Sequence, residues 1–204
     1  MRIIGLTGPS GAGKSTLCKK FEELGIPCIN TDEIYHDITS RPSPCLKELE
    51  AAFGSAIIDE HGALNRTALA KLVFEGEKAN DNLQILNSIT HKYVWEETNA
   101  LLTKYMRKRK KAAVIDAPAL FSSKVFIGAC SFIISVLCDK EIRIQRIVAR
   151  DGIERERALA RINAQPSDEF FIKNSDYYIN NSGTENEMSR QLNSIFEQEG
   201  MYFR

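Results

Sequence analysis

The sequence predicts an α/β protein built on a five-stranded parallel sheet flanked by helices, and three observations carry that expectation. Five short apolar runs, at residues 2–7, 26–30, 112–118, 131–138 and 176–180, have strand length, and most are hydrophobic almost throughout (RIIGLT, AAVIDAP, SFIISVLC). Such continuous runs are expected where both faces of a sheet are covered, as in parallel sheets. Segments of helical periodicity separate them, which is the alternation that crossover connections require. A glycine-rich stretch follows the first run directly, where the chain must turn from strand to helix.

Between the strands, residues 15–24 form a helical pattern that stops at Gly25, a usual helix terminator. Residues 77–117 contain neither Gly nor Pro, and within them Leu86, Ile89 and Tyr93, then Val94, Leu101 and Tyr105, recur at helical spacing. A further helical run is expected from about Lys140 through Arg161. Thr184 and Glu187 have the T-x-x-E spacing of a capping box and open the last helix. The segment 32–105 is nearly strand-free. The expectation is therefore one domain over residues 1–204, with a helical lobe at about 33–105.

Composition narrows the class. A chain of 204 residues buries roughly 70% of its unfolded surface and needs no covalent staples. The 27 basic residues balance 27 acidic ones, which argues against a dedicated nucleic-acid or membrane-surface binder. Five scattered cysteines with no C-x-x-C pair fit a reducing cytoplasm better than a disulfide framework or a zinc site. The first residues run straight into a strand, so no signal peptide is expected, and no apolar stretch approaches the ~20 residues of a membrane span. The RKRKK run at residues 107–111 reads as cations favouring a helix C-terminus, not as a nucleic-acid patch.

The chemistry begins at GPSGAGKST. Gly8 to Ser15 match G-x-x-x-x-G-K-[ST], the phosphate-binding loop of nucleotide-binding proteins. Glycines let backbone N–H groups approach phosphate oxygens, and the following helix aims its positive end at the same point. Gly11, Ala12, Gly13, Lys14, Ser15 and Thr16 are the expected phosphate-binding residues, with Gly8 opening the turn. Lys14 reaches the β- and γ-phosphates, and the Ser15 hydroxyl is a Mg²⁺ ligand. The loop alone does not separate kinases from GTPases, transport ATPases or regulators.

Other residues bear on that choice. Asp116 ends a buried strand and is either a Mg²⁺-side acid or a turn aspartate. Asp32 follows the second strand, at the sheet edge where α/β ligands bind. It is either a helix N-cap or a base that accepts the acceptor's proton. His36, four residues on, shares its helix face. The segment QRIVARDGIERERALARINAQ carries Arg146, Arg150, Arg157 and Arg161 near helical spacings, interleaved with Glu154 and Glu156. It is either an ion-paired surface helix or a lid whose arginines reach a phosphoryl group.

With these residues in place, the chain resembles the dephospho-CoA kinase family almost end to end. The motifs in order are GLTGPSGAGKST, ELGIPCINTDEIYH, FGSAIIDEHGALNRTALAKLVF, ITHKYV, VIDAPALF, VARDGIERERALARINAQ and SDYYINNSGT. The resemblance implies a P-loop NTPase fold of the nucleoside-kinase type and transfer of the ATP γ-phosphate to the 3′-hydroxyl of the dephospho-CoA ribose, with ATP and Mg²⁺ as cofactors. It further implies Asp32 as base, Lys14 at the phosphates, Arg150 and Arg161 as catalytic residues of a lid at about 140–165, and Asn181 and Gly183 near adenine. His36, Arg66 and His91 fall on the acceptor side. Its substrate partner is a small molecule, and the protein is expected to be a monomer or weak homo-oligomer. The chain departs from the family pattern at Asn65 (usually Asp), Lys92 (Pro), Ala119 and Ser122 (within P-L-L-F-E), and in PSDEFF after Gln165. The competing readings are a P-loop kinase for another nucleoside, nucleotide or sugar, and a nucleotide-binding regulator without catalysis.

Overall fold

Strand β1 (Arg2–Thr7) is followed by α1 (Lys14–Glu23), β2 (Cys28–Asn30), α2 (Thr31–Thr39), α3 (Pro44–Phe53), α4 (Arg66–Phe74) and the long α5 (Ala79–Arg107) in a computed structural model that describes residues 1–202. Then come β3 (Ala112–Asp116), α6 (Lys124–Ala129), β4 (Phe132–Leu137), α7 (Lys140–Asp151), α8 (Arg155–Asn163), α9 (Asp168–Asn174), β5 (Tyr177–Asn180) and α10 (Glu185–Gln198). The five strands order as β2-β3-β1-β4-β5. β1 pairs in parallel with β3 and β4, and β4 with β5. The chain divides into two compact units, one formed by Met1–Ile29 and everything from Tyr105 onward, the other by Asn30–Lys104.

In the sheet unit, β3 and β4 are buried at every position, as their apolar composition demands. Pleating separates the two faces. Ile4, Leu6, Val114, Ile134 and Val136 pack with Leu17 and Phe21 of α1 and Leu192 and Phe196 of α10. A side chain at Gly5, on the opposite face, would meet Leu120, Cys130 and Ile133. The register pairs Leu6 with Asp116, Thr7 with Ser135 and Leu137 with Asn180. The carboxyl ends of β1, β3, β4 and β5 therefore line one edge, with β1 central. That edge is where ligands meet α/β sheets.

One sequence expectation is corrected. The helix expected from Lys140 through Arg161 is broken: α7 stops at Gly152, which takes a left-handed φ of 63° and caps it. Periodicity carries no information on the sign of φ, and glycine enters that region without a Cβ penalty. In the basic run, only Arg107 lies within a helix. Lys108 to Lys111 form the turn into β3, where Lys110 Nζ donates to the Gly25 carbonyl (3.0 Å). The T-x-x-E box stands as expected, with Thr184 and Glu187 capping each other's backbone at the start of α10.

The helical unit has its own core of Leu46, Leu49, Ile57, Leu69, Val73 and Ile89. Its departures from the family pattern have visible roles. Asn65 caps α4, its side chain accepting the Ala68 N–H (3.1 Å), a task aspartate performs equally well. Lys92 on α5 pairs with Glu48 of α3 (3.0 Å), and Tyr93 donates to the same oxygen (2.7 Å). Asn65→Asp is expected to leave unfolding stability unchanged, while Asn65→Ala lowers it by about 1 kcal/mol. Urea titration of the two variants reads this directly.

Candidate active site

The loop between β1 and α1 is held from behind. Arg143 Nε donates to the Ser10 carbonyl (3.0 Å), and Ser10 N–H donates to Gln165 Oε1 (2.9 Å). Arg146 Nη1 reaches the carbonyls of Gly11 and Ala12, both at 3.3 Å. Asn181 Nδ2 donates to the Ala12 carbonyl (2.7 Å), and Arg146 Nη2 donates to the Asn181 carbonyl (3.2 Å). Three successive carbonyls, of residues 10, 11 and 12, thus have side-chain donors. Gly13 has φ 96°, and a Cβ there would collide with Asn181 Nδ2. Only glycine allows that approach. Lys14 Nζ lies over the loop and donates to the Gly8 carbonyl (3.1 Å).

Asp116 is 9% exposed at the carboxyl end of β3, and its Oδ2 accepts from Cys18 Sγ (3.6 Å). Cys18 follows Ser15 by three residues on α1, so the two side chains occupy neighbouring positions on one helix face. The aspartate is therefore tied to the face of α1 that carries the Ser15 hydroxyl one turn earlier. The Cys18 thiol is pushed far up in pKa, first by its hydrogen bond with Cys28 and then by burial. It behaves as a packing group, not a nucleophile.

Three arginines of the α7–α8 segment, Arg150, Arg155 and Arg161, pair with carboxylates. Arg150 makes a two-point contact with Asp151 (Nε–Oδ1 2.7 Å, Nη2–Oδ2 3.0 Å), and Arg161 Nη1 donates to the same Oδ2. Arg155 pairs with Glu141 (2.5 and 2.7 Å). Asp151 therefore gathers Arg150 of α7 and Arg161 of α8 at one carboxylate. The cluster of arginines seen in the sequence splits by role: Arg146 supports the phosphate loop, while Arg150 and Arg161 share an anion.

In the helical unit, Asp32 is not the N-cap of α2. Asn30 caps it, its Oδ1 accepting the N–H groups of Asp32 (3.0 Å) and Glu33 (3.3 Å). Asp32 stands one residue inside the exposed first turn, where a carboxylate suits the helix dipole. Arg66 opens α4 and donates to His36 Nδ1 (3.1 Å) and Thr39 Oγ1 (3.0 Å), with its guanidinium 5.2 Å from the Tyr35 ring centre. A guanidinium has no acceptor, so His36 accepts at Nδ1 and carries its ring proton on Nε2. His91 lies half-buried on α5, and burial lowers its pKa. Sequence reading brought forward His36 and Arg66, which meet. It missed Arg143, Tyr35 and Thr39, which carry no motif of their own.

A phosphate loop at the head of a central parallel strand, with arginine-bearing helices after β4, defines a P-loop kinase. A family profile described as dephospho-CoA kinase matches residues 2–187. A dephospho-CoA kinase of Bacillus cereus is 35% identical over 195 residues, 96% of each chain. The chain belongs to the dephospho-CoA kinase family. The solved structure of TT1252 from Thermus thermophilus superposes with a TM-score of 0.78 at 29% identity, covering 97% of both chains. A dephospho-CoA kinase from Campylobacter jejuni shares the fold, with a TM-score of 0.67 at 22% identity over 98% of both chains.

The Arg150 hydrogen bonds, followed by those of Arg161, hold the Asp151 carboxyl down to about 2. A depressed carboxylate stabilises the fold fully above its unfolded pKa, and the contribution is lost as pH falls through the folded value. The clamp is thus intact at neutral pH and opens only between about pH 4 and 2. Titrating Asp151 by NMR should give a midpoint near 2, and Arg150→Gln should move it up toward the ordinary carboxylate range.

Proposed function

We propose that the chain transfers the γ-phosphate of ATP to the 3′-hydroxyl of the dephospho-CoA ribose, giving CoA and ADP, the last step of CoA synthesis. The observation that carries this reading is the braced glycine loop of residues 8–16, set in a chain of the dephospho-CoA kinase family. The N–H groups of Gly11 to Thr16 and the head of α1 take the β- and γ-phosphates. Lys14 exchanges the Gly8 carbonyl for a phosphate oxygen, a stronger acceptor for a cation. Arg150 and Arg161 move from Asp151 to the transferring phosphoryl group, where they stabilise its charge. The adenine rests by Asn181 and Gly183, beside an open cavity of about 640 Å³ lined by Ser182, Gly183, Glu187 and Arg190.

Ser15 and Asp116 offer hard oxygen donors on the α1–β3 side of the loop, and they fit Mg²⁺. That ion keeps several waters and takes substrate phosphates, so it needs only one or two protein oxygens. Among the described residues no group of three or more His, Cys, Asp or Glu could hold a metal ion. When bound, Mg²⁺ neutralises charge on the β- and γ-phosphates.

Asp32 orients the acceptor hydroxyl and takes its proton. With a reference pKa of about 3.9 it is a weak base, but in a loose phosphoryl-transfer transition state the proton leaves late and orientation dominates. Arg66, fixed by His36 and Thr39, and His91 contact the acceptor; a guanidinium held this way suits the pyrophosphate of a CoA-type substrate. Among the described residues no helix is long and apolar enough to cross a membrane. Free thiols at all five cysteines support a cytoplasmic enzyme, and the balanced charge supports one that does not bind nucleic acid.

With Mg-ATP and dephospho-CoA, the purified protein is expected to form CoA and ADP in equal amounts. Lys14→Ala and Asp32→Ala should each lower kcat by roughly 10²-fold or more. ADP without CoA points to another acceptor; ATP binding without turnover on any acceptor points to a regulator.

A further inference from the structure

Arg143 is only 4% exposed, on α7, and no motif explains why an arginine stands there. Burying a guanidinium is costly unless each face is satisfied. Burial lowers its pKa, and Asp168 opposes that shift. Its partners are few and specific. Nε donates to the Ser10 carbonyl (3.0 Å), Nη2 to Gln165 Oε1 (3.3 Å), and Nη1 lies 3.6 Å from Asp168 Oδ1. Gln165 in turn accepts the Ser10 N–H at 2.9 Å. The backbone N–H and C=O of Ser10, in the peptide groups on either side of it, are therefore taken up by side chains 155 and 133 residues away. Gln165 lies just past the end of α8, the helix that carries Arg161, and Asp168 opens α9 in the unusual PSDEFF segment.

We propose that Arg143 and Gln165 are positioning residues that lock the Ser10 peptide and so set the shape of the phosphate loop for ATP, with Asp168 holding the Arg143 charge in place. They touch no reacting atom; they act through the loop backbone. Because Gln165 follows α8 directly, the same contact ties the lid's trailing end to the loop that binds the phosphates. A loop free to rotate its Ser10 peptide spends binding energy on ordering itself before it grips a nucleotide. The effect therefore falls on ATP and not on the acceptor.

The inference rests on the loop being the ATP site, and the experiment separates the two. Gln165→Ala, Gln165→Glu, Arg143→Lys and wild type are compared in steady-state kinetics for both substrates. ATP affinity is measured by calorimetry without acceptor, and Ser10 amide exchange by NMR. Losing the Ser10 acceptor should raise both KM and Kd for ATP about 3–10-fold, speed exchange of the Ser10 amide, and leave KM for dephospho-CoA unchanged. Gln165→Glu keeps an acceptor oxygen and an Arg143 partner, so it should recover wild-type ATP affinity. Arg143→Lys, which cannot bridge Ser10, Gln165 and Asp168 together, should behave like Gln165→Ala. If the lysine variant does not fold, the Gln165 pair decides the matter. Unchanged ATP affinity with a still-protected Ser10 amide in Gln165→Ala overturns the proposal. Equal losses for both substrates in the Ala and Glu variants, tracking only a lowered Tm, overturn it as well. A wild type that binds ATP yet makes no CoA overturns the kinase reading alone, since the Gln165 comparison is then read from Kd.

Discussion

A loop that grips phosphate through its backbone has to hold its peptides in one orientation, because the N–H groups that bind the anion and the carbonyls that would repel it belong to the same units. In this protein the constraint is met by supplying donors to the carbonyls of Ser10, Gly11 and Ala12 from Arg143, Arg146 and Asn181. Those donors come from α7 and from the segment after β5, and they reach the loop because β1, β4 and β5 are neighbours in register. The sheet order therefore does more than bury apolar surface. It brings the ends of β4 and β5 beside the end of β1, so that two arginines and an asparagine can serve as the loop's back wall. Gly13 is the other half of the same arrangement, since any side chain there would displace Asn181.

Charge is distributed with the same economy. The chain has no net charge, yet its arginines around the phosphate loop differ sharply in setting. Arg143 and Arg146 are held by neutral carbonyls and an amide, with the Asp168 carboxylate pairing only Arg143. Arg150 and Arg161 are instead shared by Asp151 on the more exposed side. The first pair is anchored to the loop backbone, the second to a single carboxylate.

In the helical unit, substitutions relative to the family pattern keep the local physics. Asn65 caps α4 as an aspartate would, and Lys92 exchanges a proline for an ion pair that joins α5 to α3. The Arg66 cluster with Tyr35, His36 and Thr39 is assembled from α2 and α4. The guanidinium is held there by the aromatic ring, the His36 ring nitrogen and the Thr39 hydroxyl.

The sequence by itself determined the strands, the phosphate loop, the Thr184–Glu187 cap and the family, because each rests on local chemistry: apolar runs, glycine spacing, and side chains reaching three residues along the chain. Tertiary structure decided the rest. Periodicity could not show that Gly152 would take a positive φ and split the helix. Nor could it show that Asn30, not Asp32, would cap α2, since both residue types cap and only two positions separate them. Least legible was the division of labour among the arginines. Arg143, Arg146 and Arg150 look alike in sequence, yet Ser10 and Gly11, the partners of the first two, lie more than 130 residues away, and Arg150 pairs with its neighbour Asp151. Only tertiary structure decides which of them meets the loop backbone and which a carboxylate.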